Sequence, residues 1–192
     1  VDVLCDAFGH YPVMQFVLDS GRAEYSERLR RFVQFTVMSR VYRREFIFGI
    51  ADGGTLQAVA TVSRPAVSAN PPELSTLREA TWNALGSAVR ARYEAYSSAV
   101  AGFVPAEPHL HLNMIGVRHA AHGQGYARKL LETVHALSRE DAASSGVSLT
   151  TEVEANVALY EHFAYRQLGR TEFAPGLSAW GFFRANSAVE IP

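Results

Sequence analysis

A chain of 192 residues with 48% apolar and 19% charged side chains can bury about 70% of its extended surface in one core, so a single domain over 1–192 is expected without disulfides. Its formal net charge of -1 excludes the long-range attraction that nucleic acid or an anionic membrane exploits, so neither is expected as a partner. The single cysteine, Cys5, excludes an intrachain bridge, and with no apolar run of about 18 residues and no basic, apolar leader the expected compartment is the cytoplasm.

The chain opens on Val1, not Met, directly in a helical pattern, and a first strand is expected to lie upstream. Leu4, Cys5 and Phe8 suit one short helix, and Val13, Met14, Phe16 and Val17 suit a second after the Gly9 to Pro12 break. From Ser26, Leu29, Phe32, Val33, Val37 and Val41 recur at helical spacing. The arginines between them, Arg40 and Arg43 included, read as a solvated face in preference to a reach toward a phosphorylated ligand. Segments 45–51 and 55–64 are apolar and β-branched on either side of Asp52-Gly53-Gly54, which predicts an antiparallel hairpin. After Pro71-Pro72 a helical stripe runs from Leu74 to Phe103 for about eight turns, bent or interrupted near Gly86. Its members Tyr93 and Tyr96 are candidates to line a substrate pocket, with core packing the preferred reading.

Pro105 and Pro108 end that stripe and lead into an alternating strand at 109–117. A glycine-rich turn follows, then a helix from Gly125 to about Ala143, a strand at 147–151, a helix at 156–164 and two strands at 165–173 and 177–184. The order implies an α/β (α+β) class with a mixed sheet and one core.

The strand, turn and helix around Gly123 and Gly125 direct backbone N–H groups toward an anion, where aligned peptide dipoles leave roughly half a positive charge. Gly123-x-Gly125-x-x-Arg128 superficially matches a dinucleotide fingerprint. That fold needs the turn after its first strand and an acid about 20 residues on. Here two strands joined as a hairpin precede the turn, and Thr150 and Thr151 precede the first acid, Glu152, so the dinucleotide reading is the poorer one.

His122-Gly123-Gln124-Gly125-Tyr126-Ala127 resembles the [Q/R]-x-x-G-x-[G/A] loop of the GCN5-related N-acetyltransferase (GNAT) family, with His122 in place of Gln or Arg. Asn156-Val157-Ala158-Leu159-Tyr160 is similar to the same family's second signature. The resemblance covers about 108–184. It implies a GNAT-like fold with a mostly antiparallel central sheet and, in this chain, a long extra helix before the family's fourth strand. It also implies an acetyl-CoA-dependent N-acetyltransferase acting by direct transfer in a ternary complex.

By that resemblance the backbone N–H groups of Gln124, Gly125, Tyr126, Ala127 and Arg128 hold the pyrophosphate, with His122 and Gly123 in the same loop. Ile115, Gly116 and Val117 pair with the pantetheine arm as a strand would, and Asn156 orients the cofactor. Tyr160 is the expected general acid. The general base falls on His111, counting back along the strand, with Glu152, Glu154 or a water relay as alternatives; His109, His111 and Asn113 share one face of a regular strand. His109-x-His111 has metal-ligand spacing but no third ligand nearby, so no metal is expected. His119, His135 and His162 read as surface or satisfied core residues. The expected acceptor is a small primary amine, and a homodimer is left open. A non-catalytic acyl-CoA-binding module and a protein-interaction domain are the alternatives.

Overall fold

The computed structural model describes residues 1–64 and 70–188. Its elements are α1 (Asp2–Phe8), α2 (Pro12–Leu18), α3 (Tyr25–Tyr42), β1 (Phe46–Asp52), β2 (Thr55–Ser63), α4 (Pro72–Leu85), α5 (Ser87–Val100), β3 (Leu110–Val117), α6 (Tyr126–Glu140), β4 (Gly146–Thr151), α7 (Ala155–His162), β5 (Arg166–Ala174) and β6 (Leu177–Ala185). The six strands form one sheet in the order β1-β2-β3-β4-β6-β5. Every neighbouring pair is antiparallel except β3 and β4. Among the described residues no helix is long and apolar enough to cross a membrane.

The helical stripe before β3 is realised as two helices that meet at Gly86. There the backbone turns to φ +89, a conformation glycine adopts without the clash a Cβ would bring. A short 3₁₀ turn, Ala101–Phe103, follows α5. Phe103 lies over Gly169 and Gly181, where a Cβ would stand 2.9 and 2.3 Å from its atoms. Those two glycines are cross-strand partners in β5 and β6, so they form a notch that seats the end of the α4–α5 segment on the sheet.

Apolar residues fill both faces of the sheet. Leu4, Val17, Leu29, Phe32, Val33 and Trp82 pack with Val59 and Met114 on one face, which carries α1 to α5. On the other, Leu130, Leu131 and Val134 of α6 pack with Ala60, Leu112, Leu149 and Phe182.

One irregularity shapes the centre. The pairing of β2 with β3 shifts between Thr61 and Val62, with Thr61 opposite Met114 and Val62 opposite Leu112, so Asn113 is an extra residue. A bulge of this kind reverses the inside–outside alternation beyond it. Leu110 and Leu112 face α6, Met114 faces the α1–α5 side, and Ile115 and Val117 pack again toward α6. A strict period of two along 109–117 therefore does not hold.

Candidate active site

The parallel pairing of β3 with β4 covers only Leu110, Leu112 and the residue between them, opposite Val147 to Leu149. Beyond Leu112 the two strands diverge. From Met114 to Val117, β3 keeps its pairing with β2 and has no strand neighbour on its β4 side. Backbone N–H and C=O groups on such an edge are a template for an extended chain. Ile115, Gly116 and Val117 all lie on this edge. A Cβ at Gly116 would stand 2.8 Å from Ala7 Cβ, so its lack of a side chain lets α1 pack against the opposite face.

The open edge runs toward the start of α6. Gly123 and Gly125 have φ +79 and +75, and a Cβ at either would meet nothing within 4 Å, so a left-handed turn with an open approach calls for glycine there. The first helical bond into α6 is Lys129 N–H to Gly125 O, 3.1 Å. The N–H groups of Tyr126, Ala127 and Arg128 precede it and have no intrahelical acceptor. His122 Nε2 lies 3.2 Å from Val117 O, tying the loop to the end of β3. Tyr126 donates its hydroxyl to Asp52 Oδ2 at 2.7 Å, holding the β1–β2 turn beside the helix start. The Arg128 guanidinium donates to His162 Nε2 at 3.2 Å and covers the Phe163 ring.

On the α1–α5 side the diverging strands open into a cavity of about 790 Å³ lined by β3, β4, α7 and the first five helices. Glu152, just beyond β4, is 9% exposed. Tyr96 donates its hydroxyl to Glu152 Oε1 at 2.6 Å, and the Glu152 N–H donates to Tyr11 Oη at 3.3 Å. Burial pushes the Glu152 carboxyl up to about 7, and the hydroxyls of Tyr96 and Tyr11 offset part of that rise. Tyr160 lines the same cavity. Burial and then the nearby Glu152 charge hold its hydroxyl well above the ordinary phenol range. Asn156 donates Nδ2 to Thr151 Oγ1 at 3.1 Å, and Tyr11 Oη lies 2.9 Å from the same oxygen.

His111 also lines the cavity. Its Nδ1 lies 2.8 Å from Ser148 Oγ, and burial, then His109 and Arg40, lower its pKa to about 4. The imidazole is therefore neutral across the physiological range. His109 turns its Nδ1 to Glu107 O at 2.7 Å. No group of three His, Cys, Asp or Glu among the described residues is placed to hold a metal. His135 is buried, with Nε2 3.0 Å from Tyr165 Oη, and His119 pairs with Asp6 at 3.2 Å.

Several cavity residues depart from their sequence reading. Arg40 of α3 is not on a solvated face: its side chain is 12% exposed, 3.0 Å from Glu45, and donates to Asn113 Oδ1 at 2.9 Å. Arg43 lines the cavity as well. Tyr96 is a hydrogen-bond donor to a carboxylate as well as a packing residue, and Tyr11 had no signal in the sequence beyond its place before Pro12. Tyr93 and Tyr96, one helical turn apart, were the available hint that α5 turns hydroxyls toward a pocket.

The sequence profile of the acetyltransferase (GNAT) family matches residues 22–165, well over half the chain. No curated protein matches in sequence. Among solved structures the chain is similar to the histone acetyltransferase HPA2 and related acetyltransferase from Corynebacterium glutamicum, at TM-score 0.65 and 19% identity over 99% of this chain and 91% of that one. It is similar to PH1933 from Pyrococcus horikoshii, at TM-score 0.58 and 13% identity over 96% and 88%. The ribosomal-protein-S18-alanine N-acetyltransferase from Escherichia coli gives TM-score 0.50 and 15% identity over 80% and 77%. At these identities the likeness is one of fold, and the profile match identifies the chain: it belongs to the GNAT acetyltransferase family and is a GNAT-type N-acetyltransferase.

Proposed function

We propose that the protein transfers the acetyl group of acetyl-CoA to a small primary amine by direct attack in a ternary complex. Glu152 is the general base in this reading and Tyr160 the general acid. The observation that carries it is the meeting of a carboxyl tuned to about 7 and a buried phenol in one cavity at the divergence of β3 and β4.

The residues present fit coenzyme A. The N–H groups at the start of α6 suit a pyrophosphate, and the open approach at Gly123 and Gly125 lets it come close to the backbone. The unpaired edge at Ile115, Gly116 and Val117 suits an extended arm with amide groups, and Asn156 stands across the divergence from it. When bound, acetyl-CoA supplies an activated thioester carbonyl.

The Glu152 carboxylate accepts a proton from the incoming ammonium or amine, and a base with a pKa near the working pH is about half ionised there while basic enough to take that proton. We assign this role to Glu152 in preference to His111. A neutral imidazole with a pKa of about 4 is too weak a base for an amine proton, and its Nδ1 is engaged by Ser148. The raised pKa of Tyr160 keeps its proton in place until a departing thiolate needs it. Cys5 is no covalent carrier: it is half-buried in the first helix, and burial raises its thiol pKa, which suppresses the thiolate.

The α4–α5 segment, seated by Phe103 on the Gly169–Gly181 notch, walls the cavity on the acceptor side and favours a small acceptor over a protein chain. The test is thiol release from acetyl-CoA with small primary amines and short peptides. Turnover of a small amine is expected. Release with peptides alone would overturn the small-molecule reading, and coenzyme A binding without release for any acceptor would favour a binding module.

A further inference from the structure

The cavity carries cationic side chains that proton transfer does not use. Arg40, Arg43, Arg78 and Arg90 all line it. Two of them have carboxylate partners: Arg40 lies 3.0 Å from Glu45, and Arg90 donates to Glu94 at 2.8 Å. Arg43 donates to the neutral Asn70, and its Nε is buried with no hydrogen-bond partner among the described residues. No carboxylate among the described residues pairs with Arg43 or Arg78. The charges of Arg40 and Arg78 reach the Tyr93 hydroxyl.

That wall is continuous. Trp82 and Tyr93 rings lie 5.0 Å apart, and Phe32 and Tyr93 5.6 Å apart. On α5, Tyr93 stands within reach of the Arg40 and Arg78 charges and Tyr96 on Glu152, about one helical turn apart along the axis. A buried guanidinium N–H without an acceptor is costly unless a ligand supplies one, and guanidinium groups pair with carboxylates in planar, charge-assisted bonds.

We propose that the acceptor is a zwitterion: a small primary amine whose carboxylate is held by Arg43 and Arg78, whose apolar ring or chain lies along Trp82 and Tyr93, and whose amine is delivered to Glu152. The inference rests on the acetyl-transfer reading and names the chemical class of its acceptor.

The test compares 4-(aminomethyl)benzoate with 4-methylbenzylamine, which differ only in the carboxylate, as acceptors at saturating acetyl-CoA. The parent protein is expected to favour the carboxylate in kcat/KM by about 10-fold or more, the order of one charge-assisted hydrogen bond. In Arg43→Glu/Arg78→Glu the ratio should fall below one; Arg78→Glu alone, at an exposed position, should lower it while keeping the fold. Calorimetric titration with 4-methylbenzoate, which has no amine, should show saturable binding to the parent with coenzyme A present and none to the double variant. Turnover of both amines without preference, or a ratio that the substitutions leave unchanged, would overturn the anion site and leave acetyl transfer standing. Saturable 4-methylbenzoate binding with no thiol release from either amine would remove the transfer reading and keep the anion site. Absence of both would overturn both.

Discussion

At the scale of single residues, the site depends on what burial does to three titratable groups. The same desolvation that raises the Glu152 carboxyl to about 7 lowers the His111 imidazole to about 4, because in each case the charged form loses its hydration. A carboxyl made more basic and an imidazole made less basic exchange the roles that their free pKa values suggest. This could not be read in the sequence, where His111 looked ready for proton transfer near neutral pH and Glu152 was one of two acids after a strand. Asn156 and Tyr160 were legible because their spacing resembles a family signature. With Tyr160 as general acid, Tyr160→Phe should lower kcat by roughly 10-fold or more while leaving coenzyme A affinity nearly unchanged. Steady-state kinetics beside a binding titration checks this, and an unchanged kcat would remove the assignment.

At the scale of elements, the decisive features are the divergence of β3 from β4 and the turn into α6. The turn was legible: Gly123 and Gly125 stood in a strand–turn–helix context, and both adopt positive φ. The bulge at Asn113 was not, since 109–117 alternates smoothly in sequence and only the pairing with β2 reveals the extra residue. The divergence was equally silent, because a strand edge is a relation between segments distant in the chain. Arg40 and Arg43 misled for a similar reason: helical spacing gives the face of a side chain but not whether α4 and α5 later cover it. Gly125→Val would force a β-branched residue into the left-handed region at φ +75, where only glycine is routinely at ease. It should weaken coenzyme A binding by about 10-fold or more with the sheet intact. Calorimetry and circular dichroism measure the two, and retained affinity would contradict the loop's part in holding the pyrophosphate.

For the whole molecule, the buried titratable groups predict how stability responds to pH. His111 and His135 have folded values of about 4 and about 3, below their ordinary 6.5. Their contribution is full above pH 6.5 and is lost as pH falls toward those values. Glu152, raised from 4.5 to about 7, acts in the opposite sense: its contribution is full below pH 4.5 and is lost as pH rises through 7. Between 6.5 and 4.5 the two histidines oppose the one carboxyl, so the unfolded chain binds about one proton more than the folded one and stability falls modestly on acidification. Glu152→Gln removes the opposing group. Its stability should fall about twice as steeply across that window, read by denaturant unfolding at several pH values, and equal slopes for parent and variant would contradict a protonated carboxyl in the fold.

That carboxyl is also the centre of the proposed chemistry. The most direct test is kcat/KM against pH for acetyl-CoA-dependent thiol release with a small primary amine, in the parent and in Glu152→Gln. The parent profile should carry an acidic limb near pH 7, and Glu152→Gln should lose that limb together with about 10²-fold or more in rate. A variant profile that keeps both the limb and the rate of the parent would contradict Glu152 as the base that starts the transfer.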